Sequence, residues 1–234
     1  MNYTYDFASI PDLIVKIMKS FPVTLEILLV SLLISLLLGA LVAVGSLSKN
    51  KAASAISKGY ISFMRGIPTL VLIFLLYLGL PKVVLNIGID MNKWNKIVFI
   101  IATLSLTSSA NMAEMMRAAY LAVDKGQREA ALSVGMKEFK AFQRIIFPQA
   151  LGIAIPTLGN NIILLFKETS LAFTIGVVDI LGKARAVSGA SYGANKLEVY
   201  IAAAIIFWVV CVLLEQISKA VEKVYTKGRK KATS

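Results

Sequence analysis

Histidine is missing from this 234-residue chain, and cysteine occurs once, as Cys211. Those scarcities exclude a disulfide framework, a zinc centre of the Cys/His type, and any Cys–His pair or Ser–His–Asp triad. Charge is scarce too: Asp, Glu, Lys and Arg make up 16% of the residues, where a soluble domain carries about a quarter. Acid is scarcer than base, 13 residues against 25, which leaves a net charge of +12. What remains is apolar, 57% hydrophobic with a mean hydropathy of +0.75. Disorder is excluded, because it needs low hydrophobicity. In a soluble protein the basic excess would point to nucleic acid. In a chain this apolar the Lys and Arg read as topology signals, and no nucleic-acid partner is expected.

Five uncharged stretches stand out: Ile27 to Ser48, Gly66 to Pro81 (lengthened backwards by Tyr60 to Met64), Ile97 to Ala113, Ile145 to Phe166, and Val199 to Leu214. Pro148 and Pro156 interrupt the fourth. A helix needs about 20 residues to cross a bilayer. The fold class predicted is therefore all-α, a polytopic membrane protein with five transmembrane helices, forming one transmembrane domain over residues 1–234. Before the first stretch, Ile10, Leu13, Ile14, Ile17 and Met18 recur at helical spacing with Lys16 and Lys19 opposite, which predicts a short interfacial helix over Ser9 to Ser20. Cleavage of a signal peptide is not expected, since the first stretch is too long for an h-region and lacks a basic n-region. Tyr3, Tyr5, Trp94 and Tyr192 read as interfacial aromatics, and the tail KGRKKATS as a solvated anchor.

Lys and Arg are distributed two to one between the sides of this arrangement. The richer side has Lys49, Lys51, Lys58 and Arg65 in the first loop, Arg117, Lys125, Arg128, Lys137, Lys140 and Arg144 around the next, and the C-terminal tail. The poorer side has Lys16, Lys19, Lys82, Lys93, Lys96, Lys183, Arg185 and Lys196. The bias predicts an N-terminus outside and a C-terminus in the cytoplasm.

One long polar segment breaks the hydrophobic alternation: DKGQREAALSVGMKEFKAFQRIIFP, residues 124–148. Gly126 precedes a short helical run from Arg128 to Ser133, and Gly135 fits the left-handed position that ends it. A second helix is predicted from Lys137 to Ile146, with Met136, Phe139, Phe142 and Ile146 on one face and Lys137, Lys140 and Arg144 on the other. Periodicity alone fits either an amphipathic cytoplasmic loop or two short helices at right angles forming a knob.

The residues of this segment resemble a known signature. Glu129-Ala130-Ala131, three residues, Gly135, nine residues, Ile145, two more and Pro148 is similar to the EAA loop of ATP-binding-cassette (ABC) importer permeases. Phe147 stands where that family has Leu. GQREAALSVGM, IIFPQAL, LGNNI and KETSLAFTIGV resemble the polar-amino-acid branch, which includes histidine, glutamine, arginine and cystine permeases. Residues 62–81, SFMRGIPTLVLIFLLYLGLP, resemble its second span. The resemblance covers roughly residues 20–225.

The resemblance implies a bacterial cell-membrane permease, a transport subunit and not an enzyme, that imports a polar or sulfur-containing amino acid by alternating access. It implies three protein partners: a cytoplasmic ATP-binding ABC subunit, a second permease copy or paralogue, and an extracellular or periplasmic amino-acid-binding protein. ATP and magnesium would be bound by the partner subunit. The chain itself lacks a GxxxxGK[ST] phosphate loop, and no metal or catalytic residue is assigned to it. Glu129, Ala130, Ala131, Gly135, Ile145 and Pro148 are the expected coupling contacts. Small side chains at Ala130, Ala131 and Gly135 allow close approach of a partner. Glu129 reads equally as a contact to the ATPase and as a residue holding the loop together. A secondary transporter without an ATPase is the rival reading, but it predicts internal repeats that the sequence lacks.

Ionisable and polar residues at membrane depth mark a path or a structural contact. Ser108, Asn111, Glu114, Asn161, Glu168 and Ser170 are the candidates for the substrate path. Glu114 and Arg117, three apart on one helix face, also fit a local ion pair. Glu168 can accept from a substrate ammonium, while Lys167, Thr169 and Ser170 can donate to its carboxylate; a structural Lys167–Glu168 pair is the alternative. In the family the position of Asn111 is usually aromatic and that of Asn161 often acidic. A neutral amide at 161 weighs against a strictly cationic substrate. Met112, Met115 and Met116 read as packing residues.

Overall fold

A computed structural model describes residues 6–230, with side chains through Tyr225. Tyr3, Tyr5 and the tail side chains from Lys227 onward lie outside the described residues. Among the described residues all regular structure is helical. The helices are α1 (Ile10–Met18), α2 (Phe21–Leu47), α3 (Lys51–Gly66), α4 (Thr69–Phe74), α5 (Leu80–Leu85), α6 (Lys96–Leu121), α7 (Lys125–Ser133), α8 (Glu138–Ala141), α9 (Phe147–Thr169), α10 (Ile180–Ala190) and α11 (Lys196–Lys230).

Among the described residues four helices are long and apolar enough to cross a membrane: α2, α6, the continuous helix Glu138–Ile175 that contains α8 and α9, and α11. A fifth exists if the bent pair of α3 with Thr69–Leu85 counts as one span. The uncharged stretch around Gly66 to Pro81 is thus not a straight helix. Its break falls at Ile67–Pro68, where Pro68 has ψ 131° and no N–H to give to the preceding turn. The residue before a proline is itself pushed out of the helical region.

The chain divides into two compact units. The first comprises residues 1–33, 67–106 and 164–213; the second comprises 34–66, 107–163 and 214–234. Helices α2, α6, α9 and α11 each contribute residues to both. In the first unit α1 buries Leu13 and Ile17, leaves Lys16 and Lys19 exposed, and packs against α10. Thr24 of α2 accepts the Ile180 N–H at 3.1 Å, pinning the start of α10. In the second unit Ala43, Ile61 and Ala113 form a small core, with Tyr60 and Met116 against it. Three glycines there let helices touch. A Cβ on Gly39 would lie 2.7 Å from the Met112 Cβ, one on Gly45 2.3 Å from the Ser57 Oγ, and one on Gly159 2.7 Å from the Ser218 Cβ.

Two π-turns share a sequence context. The Leu80 N–H donates five residues back to the Leu75 carbonyl, and the Phe147 N–H does the same to Phe142. Each widened turn ends one residue before a proline, Pro81 or Pro148. A proline has no N–H for the carbonyl four residues back and clashes with it; one extra residue in the preceding turn relieves both. The Gln149 side-chain Nε2 then donates to the Ile145 carbonyl at 3.0 Å. The second short helix of the loop is therefore not free-standing: α8 runs through the π-turn into α9 without a break. Likewise α11 continues as helix far beyond its apolar stretch, which ends at Leu214.

Candidate functional site

The loop between α6 and α9 belongs to the second unit and is built from local rules. Asp124 caps α7, its carboxylate accepting from the Gly126 N–H at 2.6 Å. At the other end the Gly135 N–H donates to the Leu132 carbonyl at 3.0 Å and the Met136 N–H to the Ala131 carbonyl at 3.1 Å. With Gly135 at φ +82°, this is a Schellman ending, which favours glycine. A Cβ at Gly135 would meet nothing within 4 Å, so its requirement there is conformational and not spatial. The turn reverses the chain into α8, and Arg128 of α7 pairs with Glu138 of α8 across it.

Ala131 is buried at 4% exposure, whereas Glu129, Ala130, Gly135 and Pro148 are exposed and Ile145 is half-buried. Glu129 forms no ion pair among the described residues; the loop is tied instead by its neighbour Arg128. Val134 and Phe139, 77% and 73% exposed, flank the Gly135 turn. Two large apolar side chains are thus presented at the tip, a feature the sequence reading did not single out. The apolar spacing puts Phe139 on the loop's apolar face, but its exposure depends on where the turn points it. Behind the tip lies a cleft of about 560 Å³ lined by Lys49, Tyr120, Asp124, Lys125, Arg128 and Glu129 among others.

The polar residues on α6 and α9 are placed unit by unit. In the second unit Glu114 is held by Arg117, whose Nε and Nη2 donate to its two carboxylate oxygens at 2.9 and 2.6 Å. Ser108 is buried and Asn111 half-buried. The Asn161 amide reaches the sulfurs of Met112 and Met115 at 3.9 and 3.7 Å, so this neutral amide sits against soft acceptors. Tyr60 and Ser109 share a 2.7 Å hydrogen bond between α3 and α6. In the first unit Glu168 accepts from the Thr69 hydroxyl at 3.2 Å. Lys167 is exposed and forms no ion pair with Glu168. Ser170 donates to the Lys167 carbonyl at 2.6 Å and the buried Thr169 to the Phe166 carbonyl at 2.7 Å, so both hydroxyls close the helix end. Thr69 is a site residue that the sequence reading missed; its position after the Pro68 break was the available signal.

All-helical structure among the described residues, several long apolar helices carrying polar side chains and a loop tipped with apolar residues fit a membrane transport component. Residues 35–227 match the family of binding-protein-dependent transport system inner membrane components, and the chain belongs to that family. It is 39% identical over 229 residues to the L-cystine transport system permease protein TcyL of Bacillus subtilis, covering 98% of this chain and 95% of the relative. It is 34% identical over 218 residues to the arginine transport system permease protein ArtQ of the same organism, covering 93% and 96%. Among solved structures, an amino acid ABC transporter with histidines superposes with a TM-score of 0.82 at 30% identity, covering 94% of this chain and 99% of that one. The inward-facing methionine transporter MetNI gives a TM-score of 0.70 at 17% identity, covering 89% and 95%, a likeness of fold. The chain is a transport permease subunit of an ABC transporter, and ATP hydrolysis resides in a separate subunit.

Proposed function

We propose that this chain is the permease of an amino-acid importer whose substrate is a polar or sulfur-containing amino acid. The observation that carries the substrate class is the near full-length similarity to an L-cystine permease. The neutral Asn161, resting on Met112 and Met115, supports a substrate that is not strictly cationic. The permease works as one transmembrane domain, residues 1–234, paired with a second copy or a paralogue. Loop 124–148 docks on the ATP-binding subunit through Val134 and Phe139 at its tip, with Glu129, Ala130, Ala131, Gly135, Ile145 and Pro148 fixing its shape and approach. An extracellular or periplasmic binding protein delivers the amino acid. Glu168, with Lys167 beside it, meets the substrate on the path; Ser108, Asn111, Glu114, Asn161 and Ser170 line or brace that path. ATP-driven closure of the ATPase pair moves the loops and alternates access.

The chain lies in the bacterial cell membrane with five spans, the broken α3–α5 segment being the second. The N-terminus and α1 are outside, and loop 124–148 and the C-terminus are in the cytoplasm. Two experiments test this reading. The permease, its ATPase and its binding protein are reconstituted, and uptake is measured for L-cystine and each common amino acid. ATP-dependent uptake of cystine or a neutral polar amino acid is expected; uptake confined to arginine and lysine would overturn the substrate class. In a Cys211→Ala background, a cysteine at Lys137 is expected to resist an impermeant thiol reagent in intact cells, and one at Asn92 to label. The reverse pattern would invert the topology.

A further inference from the structure

The two oxygens of the Glu168 carboxylate are in different situations. Oε1 accepts the Thr69 hydroxyl at 3.2 Å. Oε2 has no partner among the described residues, and it is absent from the buried polar atoms that lack one, so it faces accessible space. The neighbouring lysine does not neutralise it: Lys167 is exposed and ion-paired to nothing among the described residues. A glutamate side chain has three rotatable bonds, and ordering it costs entropy that a bound ligand would otherwise have to supply. The Thr69 hydroxyl restrains one oxygen while leaving the other open.

The donor's own position is fixed by the chain. Pro68 halts the preceding helix, and Thr69 is the first residue of α4 after it. Thr69 is half-buried, and its β-branch restricts the hydroxyl to few rotamers. Its side chain is short, so the contact with Glu168 requires the first turn of α4 to lie against the last turn of α9 within the first unit.

We propose that Thr69 is a positioning residue for substrate recognition. Its hydroxyl fixes the Glu168 carboxylate so that Oε2 is presented to the ammonium group of an amino-acid substrate. This rests on the reading that Glu168 lines the path. Thr69 does not touch the substrate; it lowers the cost of ordering the group that does.

The test uses the reconstituted complex of permease, ATPase and binding protein, with uptake measured for L-cystine and each of the twenty common amino acids. Thr69→Val keeps the shape and removes the donor, while Thr69→Ser keeps the donor. For the amino acids that wild type takes up, Thr69→Val is expected to raise KM about tenfold with the maximal rate within about twofold, and Thr69→Ser to stay within about twofold of wild type in both. An unchanged KM in Thr69→Val, or an equal defect in Val and Ser, overturns the proposal. So does a lower complex yield in Thr69→Val with KM unchanged, which would make the contact merely structural. Glu168→Gln separates the two layers. If it leaves uptake at wild-type KM, the placement of Glu168 on the path fails. If it is defective beside a normal Thr69→Val, only the positioning role of Thr69 fails.

Discussion

Arg128 and Glu138, ten residues apart, pair across the left-handed turn at Gly135 and join α7 to α8. Their side chains are 43% and 69% exposed, so the pair is solvated and contributes about 0–1 kcal/mol. The expected phenotype of Glu138→Ala is correspondingly mild: normal insertion and a loss of coupled uptake of no more than a few-fold, growing as salt is lowered and the wild-type pair strengthens. The exchange Arg128→Glu with Glu138→Arg is expected to recover the loss. Coupled uptake abolished by Glu138→Ala alone would mean that Glu138 contacts the ATPase directly.

The turn itself is the more demanding part. Gly135 sits at φ +82° with open space around a hypothetical Cβ. A substitution there meets backbone strain of about 1–2 kcal/mol and no clash. Asn, which tolerates this conformation, is expected to retain most ATPase association, and Val to lose it while still inserting in the membrane. Gly135→Asp adds a charge beside Val134 and Phe139 at the tip proposed to dock, and is expected to lose association despite its tolerable backbone. Co-purification of the ATPase with each variant is the measurement. Equal association for Asn and Val would exclude the conformational account.

Gly159 and Ser218 form a contact of the opposite kind, limited by space. A Cβ at 159 would stand 2.6 Å from the Ser218 Oγ and 2.7 Å from its Cβ. The hydroxyl can rotate away but the Cβ cannot. Gly159→Ala is therefore expected to lower the yield and thermal stability of the complex, by an amount typical of overpacking, about 1–3 kcal/mol. Ser218→Gly is expected to restore most of it. Stability unchanged in Gly159→Ala would mean that α9 and α11 separate freely at this point.

Asp179 offers a pH signature. It is fully buried at the start of α10, and burial pushes its carboxyl from 3.8 up to about 6, although the N–H groups of Gly182 and Leu181 donate to it and pull it down. A carboxyl that holds its proton more tightly folded than unfolded makes the native state the better proton binder between the two values. Acidification through that window therefore adds stability through this group, and the gain disappears as pH rises through about 6. Asn caps helices well without a charge. Asp179→Asn is expected to remove this acid-dependent gain while leaving uptake at neutral pH intact. Thermal unfolding of the complex at pH 7, 6 and 5 reads it, and identical pH dependence in the two proteins would exclude Asp179 as its source.

Much of this was legible in the sequence because it follows from local rules. Four of the five uncharged stretches became long helices, Gly135 took the left-handed ending, and Glu114 met Arg117 three residues on. The missed features depend on partners distant in the chain or on backbone choices that composition does not encode. Pro68 was read inside a span, yet it divides one, since an apolar run does not say whether its proline kinks or stops a helix. The Lys167–Glu168 pair was an alternative because the residues are adjacent; Glu168 instead meets Thr69, 99 residues away. Phe142 to Ile146 were read as ordinary helix because a π-turn leaves the apolar spacing nearly intact.

That widened turn before Pro148 has a consequence for how this chain tolerates changes in length. It is in effect one inserted residue absorbed inside a helix. Successive residues of an α-helix are about 100° apart, so deleting one residue from the regular part of α9 would swing each later side chain by that angle relative to the loop, whereas deleting one of Phe142 to Ile146 would tighten the widened turn to an ordinary one, leave the later side chains near their places, and set Pro148 against the carbonyl four residues before it. A deletion between Gln149 and Asn160 would take Asn161 away from the sulfurs of Met112 and Met115. Single-residue deletions at 142–146 are thus expected to lower the yield of the complex less than single-residue deletions between Gln149 and Asn160.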